Sequence, residues 1–259
     1  MSHLNQQIIL SQLDYRTQAE LAELTVLDTI GSTNQWLIES DHCPAVCVAE
    51  QQSMGRGRRG HVWQSDPSGN IYFSLSWCVD DETLQKMSSQ LPLLGLAVGF
   101  VLCDCLASVG LQGHGIKWPN DIWVNKRKLA GILIETTQNL RRIVIGIGIN
   151  VEQREFGAVL KATSLALELS QTINRNSLIS DLIVNLFKLL SKFPSVSYHD
   201  VLIAWNRWDM LKGKEVDVHS QSEQLTGLAM GINSQGELQL LLKNGDNISV
   251  NAADVSVRW

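Results

Sequence analysis

The chain lacks most of what would mark a metalloprotein, a secreted disulfide scaffold or a nucleic-acid binder. Its five cysteines (Cys43, Cys47, Cys78, Cys103, Cys105) include no C-x-x-C pair. An odd number without framework spacing predicts reduced thiols in a cytoplasmic protein. The six histidines are scattered singly, so no metal-ligand spacing stands out. A net charge of −5 argues against wholesale nucleic-acid binding. No basic segment followed by an apolar core opens the chain, which predicts that no signal peptide is present. The most apolar stretch, 91–109, is interrupted by Asp104, and its unbroken run Leu91–Cys103 is shorter than the roughly 20 residues of a membrane span. A buried helix over 86–109 is expected instead, with no membrane contact. There is no internal repeat and no low-complexity tract.

What remains is an ordinary packing alphabet: 44% hydrophobic and 18% charged residues over 259 positions. That suits one large domain, or a medium domain with a small one. Strands are expected at 25–30, 45–49 and 70–79, the last alternating Ile71, Phe73, Leu75 and Trp77 on one face. Ser32, Thr33 and Asn34 precede an amphipathic helix carrying Trp36, Leu37 and Ile38, where they would serve as ordinary caps. A hairpin is expected with Asn125-Lys126-Arg127 between 122–124 and 129–135, then a β-rich run over 142–151. Leu178, Ile179, Leu182, Ile183, Leu186 and Leu190 mark a helix over 176–193. After Trp208 the texture changes to short β-like runs broken by turn residues. The fold class expected is α+β: a linker-like segment at 1–24, a mixed-sheet domain packed with helices at 25–208, and a small β-barrel at 213–259.

Residues 55–60, GRGRRG, match the dinucleotide fingerprint G-x-G-x-x-G as a bare pattern. That fingerprint needs a helix after its last glycine. Here Pro67 and Gly69 follow within nine residues, and then a strand. A phosphate-binding Walker loop also fails, because G-K-[ST] is missing. Two readings stay open: a basic surface loop, or a mobile loop that orders over a phosphate or carboxylate, which guanidinium groups bind in bidentate fashion. Two further stretches carry similar chemistry. Lys117-Trp118-Pro119-Asn120-Asp121 ends a strand with a lysine, an amide and a carboxylate. Lys128 enters an apolar strand in which Gly131 leaves room for a ligand.

Taken in order, Ser32-Thr33-Asn34, the segment 52–60, Lys117-Trp118-Pro119-Asn120-Asp121, Lys128-Leu129-Ala130-Gly131-Ile132-Leu133 and Gly146-Ile147-Gly148-Ile149-Asn150 resemble the signature of biotin protein ligases. The resemblance covers roughly 25–259. It implies a class II synthetase-like catalytic fold followed by an SH3-like barrel. It also implies formation of biotinyl-5′-AMP from biotin and ATP with Mg²⁺, then transfer to a lysine of the biotin carboxyl carrier protein of acetyl-CoA carboxylase. By the same resemblance, Ser32, Thr33, Asn34, Gln52, Gly57, Arg58, Arg59 and Lys128 would contact biotin. Gly55, Arg56, Trp63, Lys117, Asn120, Gly131, Gly148 and Asn150 would contact ATP or the adenylate. Arg58, Lys117, Asp121 and Lys128 would carry the chemistry, cations meeting charge at the α-phosphate and Asp121 meeting the incoming amine. His61 departs from the basic residue common after this loop. Some relatives carry an N-terminal winged helix-turn-helix. Only some 24 residues precede the motifs here, so no DNA-binding repressor function is expected, and a homodimer is the expected assembly. A lipoate ligase and a silent biotin sensor are the rival expectations.

Overall fold

A computed structural model describes residues 3–65, 69–88, 90–137, 140–157, 161–219, 224–252 and 256–258. The larger unit is built on seven strands: β1 (Glu23–Ile30), β2 (Ala45–Gln52), β3 (Ile71–Cys78), β4 (His114–Lys117), β5 (Asp121–Val124), β6 (Arg127–Thr136) and β7 (Arg142–Ile149). Their order across the sheet is β1-β2-β3-β7-β6-β5-β4. Only β1 and β2 are parallel. Parallel neighbours need a crossover, and helix α3 (Thr33–Glu39) supplies it, packing on β2, β3 and β7. The hairpin expected at 125–127 turns on Asn125 and Lys126, both with positive φ, so Arg127 already belongs to β6.

The opposite face of the sheet carries the main core. Helices α5 (Leu91–Ser108) and α7 (Arg175–Lys192) pack against each other and over the sheet. β3 is buried on both faces. Ile71, Phe73 and Leu75 enter the main core, while Tyr72, Ser74 and Ser76 face the α3 side. The helix expected over 86–109 is divided into α4 (Asp81–Met87) and α5. Pro92 lies in the first turn of α5, where a missing N–H costs nothing. By length and composition α5 could cross a membrane, yet eleven of its residues are buried inside the protein. It is a core helix.

The N-terminal segment is more structured than a linker. Helices α1 (Gln6–Ser11) and α2 (Tyr15–Glu20) are capped by the side chains of Asn5 and Asp14. Ile9 is buried, Ser180 Oγ on α7 donates to Ile9 O at 3.1 Å, and Asn5 N donates to Asn176 Oδ1 at 2.8 Å. A second element escaped the sequence reading, which named no helix between 193 and 208. Helix α8 (Tyr198–Trp208) begins with a Ser197–Asp200 capping box. The short helix α6 is Leu165–Glu168.

The C-terminal unit is a separate antiparallel sheet ordered β11-β10-β9-β8-β12: β8 (Glu215–His219), β9 (Gln224–Ile232), β10 (Leu238–Leu242), β11 (Asn247–Val250) and β12 (Ser256–Arg258). It shares one continuous apolar core with the larger unit. Trp118 Nε1 donates to Gly236 O at 2.9 Å, and Tyr198 Oη donates to Ile232 O at 3.0 Å. The mixed α+β class and the β appendix agree with the sequence expectation.

The expectation of five reduced thiols is corrected. Cys43 and Cys78 form a disulfide, while Cys47, Cys103 and Cys105 are free and buried. Local spacing hides this pair because it is made by strand register. β2 and β3 run antiparallel with Ala45 opposite Ser76, so continuing the register brings Cys43 to Cys78. Burial pushes the Cys47 and Cys105 thiols up to about 12, far from nucleophilic use.

His114 gives the fold a pH signature. Its Nε2 donates to Cys103 O at 2.9 Å, its ring stacks on Trp208, and burial holds its pKa below the usual value. The unfolded chain therefore binds the extra proton more readily, and stability falls as pH drops below about 6.5. The melting temperature should decrease by a few degrees between pH 7.5 and 5.5, and His114→Gln should flatten that decrease.

Candidate active site

A cavity of about 280 Å³ opens where the N-terminus of α3, the loop after β2, the β4–β5 turn and the middles of β6 and β7 meet. Its two ends differ in chemistry.

One end is dense in hydrogen-bonding groups, and its lining charge, Arg56, is neutralised by Glu135. Ser32 caps α3, its Oγ accepting from Gln35 N, and also lines the cavity. Capping and lining are thus combined in one residue. Gln52 Oε1 accepts from Thr33 N at 2.9 Å and from Thr33 Oγ1 at 3.1 Å. Ser74 Oγ, on β3, lies 2.7 Å from Thr33 Oγ1 and 2.5 Å from Asn34 Oδ1. Asn34 Nδ2 donates to Glu135 Oε2 at 2.8 Å. Gly146 makes this possible: a β-carbon there would stand 2.3 Å from Asn34 Oδ1, far inside contact distance.

The other end is cationic. Lys128 Nζ lies 2.6 Å from Asp121 Oδ1 and 5.2 Å from the centre of the Trp63 ring. Lys117 and Asp121 are cross-strand partners in the β4–β5 ladder, and Lys117 Nζ sits over the Trp123 ring at 4.5 Å. Asn120 is fixed to β6, donating from Nδ2 to Ile132 O at 2.7 Å, and its Oδ1 accepts from Arg58 Nη1 at 3.2 Å. Arg58 also donates to Ala252 O of the C-terminal unit, as does Arg59 at 3.3 Å. Burial and the adjacent Arg59 lower the Arg58 pKa, and Asp121 opposes them. The guanidinium remains charged all the same.

GRGRRG is more ordered than its composition suggests. Gly57 N donates to His61 O at 2.7 Å, Trp63 N to Gly55 O at 3.0 Å, and Arg56 bridges Val62 across the loop. The turn Arg58–Gly60 closes its tip, with Arg59 at φ 57° and Gly60 at φ 72°. The loop delivers Trp63 flat onto the sheet. β-Carbons added to Gly148 and Gly131 would meet the indole at 2.5 and 2.8 Å, so only glycine strands accept it there. The buried Trp63 Nε1 has no hydrogen-bond partner among the described residues.

Of the residues singled out from the sequence, all but Gly55 and Asn150 line this cavity. Gly55 stands behind the loop, where a β-carbon would meet Trp63 O at 2.5 Å. Asn150 pins the end of β7 to the following segment, donating from Nδ2 to Thr163 O at 3.0 Å. Arg56 lies at the hydrogen-bonding end, paired with Glu135 and donating to Gln35 Oε1 at 2.7 Å. Sequence reasoning missed Ser74, Glu135 and Gln35. Ser74 had a signal, as a buried polar residue between Phe73 and Leu75 that shares its strand face with Ser76.

Residues 26–150 match the model of the Biotin/lipoate A/B protein ligase family, and residues 212–258 match the Biotin protein ligase C terminal domain. The bifunctional ligase/repressor BirA of Escherichia coli (strain K12) is 34% identical over 245 residues, covering 92% of this chain and 73% of that protein. The biotin--[acetyl-CoA-carboxylase] ligase of Mycobacterium tuberculosis is 32% identical over 243 residues, covering 90% of this chain and 88% of that protein. Among solved structures, the biotin protein ligase from Aquifex aeolicus in complex with biotin and ATP superposes with a TM-score of 0.78 at 26% identity, covering 91% of this chain and 98% of that one. With a relative 34% identical of which 73% is covered, and with both a biotin/lipoate ligase model and a biotin protein ligase C-terminal model matched, the chain belongs to the biotin protein ligase family.

Proposed function

We propose that the cavity joins biotin to ATP and then passes biotin to a protein lysine. The observation that carries this reading is the division of one cavity into a neutral, amide-rich end and a cationic end. A ureido ring offers one carbonyl and two N–H groups, which suits Ser32, Thr33, Asn34 and Gln52. A lipoyl dithiolane would leave those polar groups unpaired, at about 1–3 kcal/mol each. The valeryl carboxylate then points toward Arg58 and Lys128.

In the first step a biotin carboxylate oxygen attacks the α-phosphorus of ATP. An acyl-phosphate bond forms, the Pα–O bond to the β-phosphate breaks, and pyrophosphate leaves. Arg58, Lys117 and Lys128 stabilise charge that builds on the phosphoryl oxygens. In the second step the neutral lysine amine attacks the acyl carbon. An amide forms and AMP leaves with the bonding electrons. Asp121, next to Lys128, is suited to orient the amine and accept its proton. Trp63 and the glycines of β6 and β7 would flank the adenine. Among the described residues no group of three or more metal-ligating side chains occurs, so Mg²⁺ would arrive on the triphosphate and shield its charge. The acceptor in this reading is the carrier domain of acetyl-CoA carboxylase, and the compartment is the cytoplasm. A homodimer without nucleic-acid or membrane contacts completes the proposal.

The test is pyrophosphate release on mixing biotin, ATP and Mg²⁺, followed by transfer of labelled biotin to a purified carrier domain. Stimulation by lipoate and not by biotin would overturn the reading. Arg58→Gly should make the site leaky. It removes the Arg58 bond to Ala252 O and leaves only that of Arg59, so release of free biotinyl-adenylate should rise at least tenfold relative to transfer. Quenched-flow separation of free and bound adenylate measures this.

A further inference from the structure

Glu135, on β6 behind the cavity lining, accepts from two lining residues at once. Its Oε2 receives Asn34 Nδ2 at 2.8 Å, and its Oε1 receives Arg56 Nη2. Arg56 in turn donates to Gln35, the neighbour of Asn34 in the first turn of α3. These contacts close a ring linking α3, the arginine loop and the central sheet. The ring has a chemical consequence. An asparagine side chain presents a carbonyl oxygen on one side and an NH₂ group on the other, and the two nearly superpose when the amide turns over. With Glu135 fixed as acceptor, Asn34 must turn Nδ2 toward it and Oδ1 toward Ser74. The same carboxylate holds the Arg56 guanidinium away from the cationic end of the cavity.

We infer that Glu135 is a positioning residue for the known reaction: it sets the donor–acceptor order of the ureido-recognising end and ties Arg56 to that end as a brace. This rests on the reading of the cavity as a biotin site. The inference assigns Arg56 a role in loop placement instead of adenylate binding. It also makes α3 and the arginine loop depend on each other through one carboxylate.

Glu135→Gln tests the idea sharply, because the amide has one acceptor oxygen where the carboxylate has two. Either Asn34 or Arg56 then faces an NH₂ group. The biotin dissociation constant, measured by calorimetry on the full chain, should rise at least tenfold, while KM for ATP stays within about threefold of the parent. Arg56→Met should weaken biotin as well. The double variant should be no weaker than the poorer single variant, since both remove the same contact. If Glu135→Gln does not fold, Arg56→Met carries the same readout from the other side. Unchanged biotin affinity in Glu135→Gln, or parallel losses in biotin affinity, ATP KM and melting temperature, would overturn the inference alone. A parent chain that binds no biotin would overturn the functional reading together with it.

Discussion

Lys128→Ala is expected to slow pyrophosphate release at saturating biotin and ATP by on the order of 10²–10³-fold, about 2.7–4 kcal/mol of transition-state stabilisation. Lys128 enters the cavity from the start of β6, and its Nζ is held between the Asp121 carboxylate at 2.6 Å and the Trp63 ring. Attack on the α-phosphorus joins one anion to another, so a fixed cation at that point matters more in the transition state than in the ground state. The ion pair with Asp121 is half-buried, which fixes the ammonium without neutralising the cavity. Removing the cation also leaves Asp121 without this partner. The variant should therefore lose kcat in the first step, while biotin binding alone, dominated by the neutral end, changes much less. Single-turnover formation of adenylate separates the two effects. A variant with normal adenylation would remove Lys128 from the mechanism.

Gly146→Ala should be nearly as damaging for a different reason. Its β-carbon would stand 2.3 Å from Asn34 Oδ1 and 2.9 Å from Asn34 Cγ. Asn34 cannot step aside cheaply, because Ser74 and Glu135 hold both ends of its amide and α3 holds its backbone. Overpacking of this kind costs about 1–3 kcal/mol of stability. Displacing the amide should cost biotin affinity about 10–100-fold, as a hydrogen-bonding group turns away from its partner. Gly95→Ala on α5 is the control, since its β-carbon would meet only Ile134 Cδ1 at 3.9 Å. Melting temperature and biotin titration on both variants give the comparison. Loss in Gly146→Ala without loss in Gly95→Ala is the expected pattern.

Much of this molecule could be read from residue order. The alternation of β3, the helical spacing of α7 and the turn residues after Trp208 named their elements, because periodicity reports which face is buried. The ordered motifs named the family, and with it most of the residues that line the cavity. GRGRRG could be freed from its dinucleotide look-alike by the missing helix alone. Elements held by caps and tertiary contacts were not legible in this way. α8 was not among the helices expected, and α1 and α2 are short helices stabilised against α7 rather than by their own length.

The sequence by itself determined the chemistry available: a basic loop, a lysine and a carboxylate at strand ends, and glycines in β6 and β7. Tertiary structure alone decided which of these groups meet. It set Asp121 against Lys128, brought Cys43 to Cys78 through strand register, and turned Glu135 from an unremarked strand residue into the partner of Asn34 and Arg56. The physical reason is separation along the chain. Asn34 and Glu135 are 101 residues apart, and Arg56 and Glu135 are 79 apart. No local pattern reports a contact that exists only once a sheet has chosen its order.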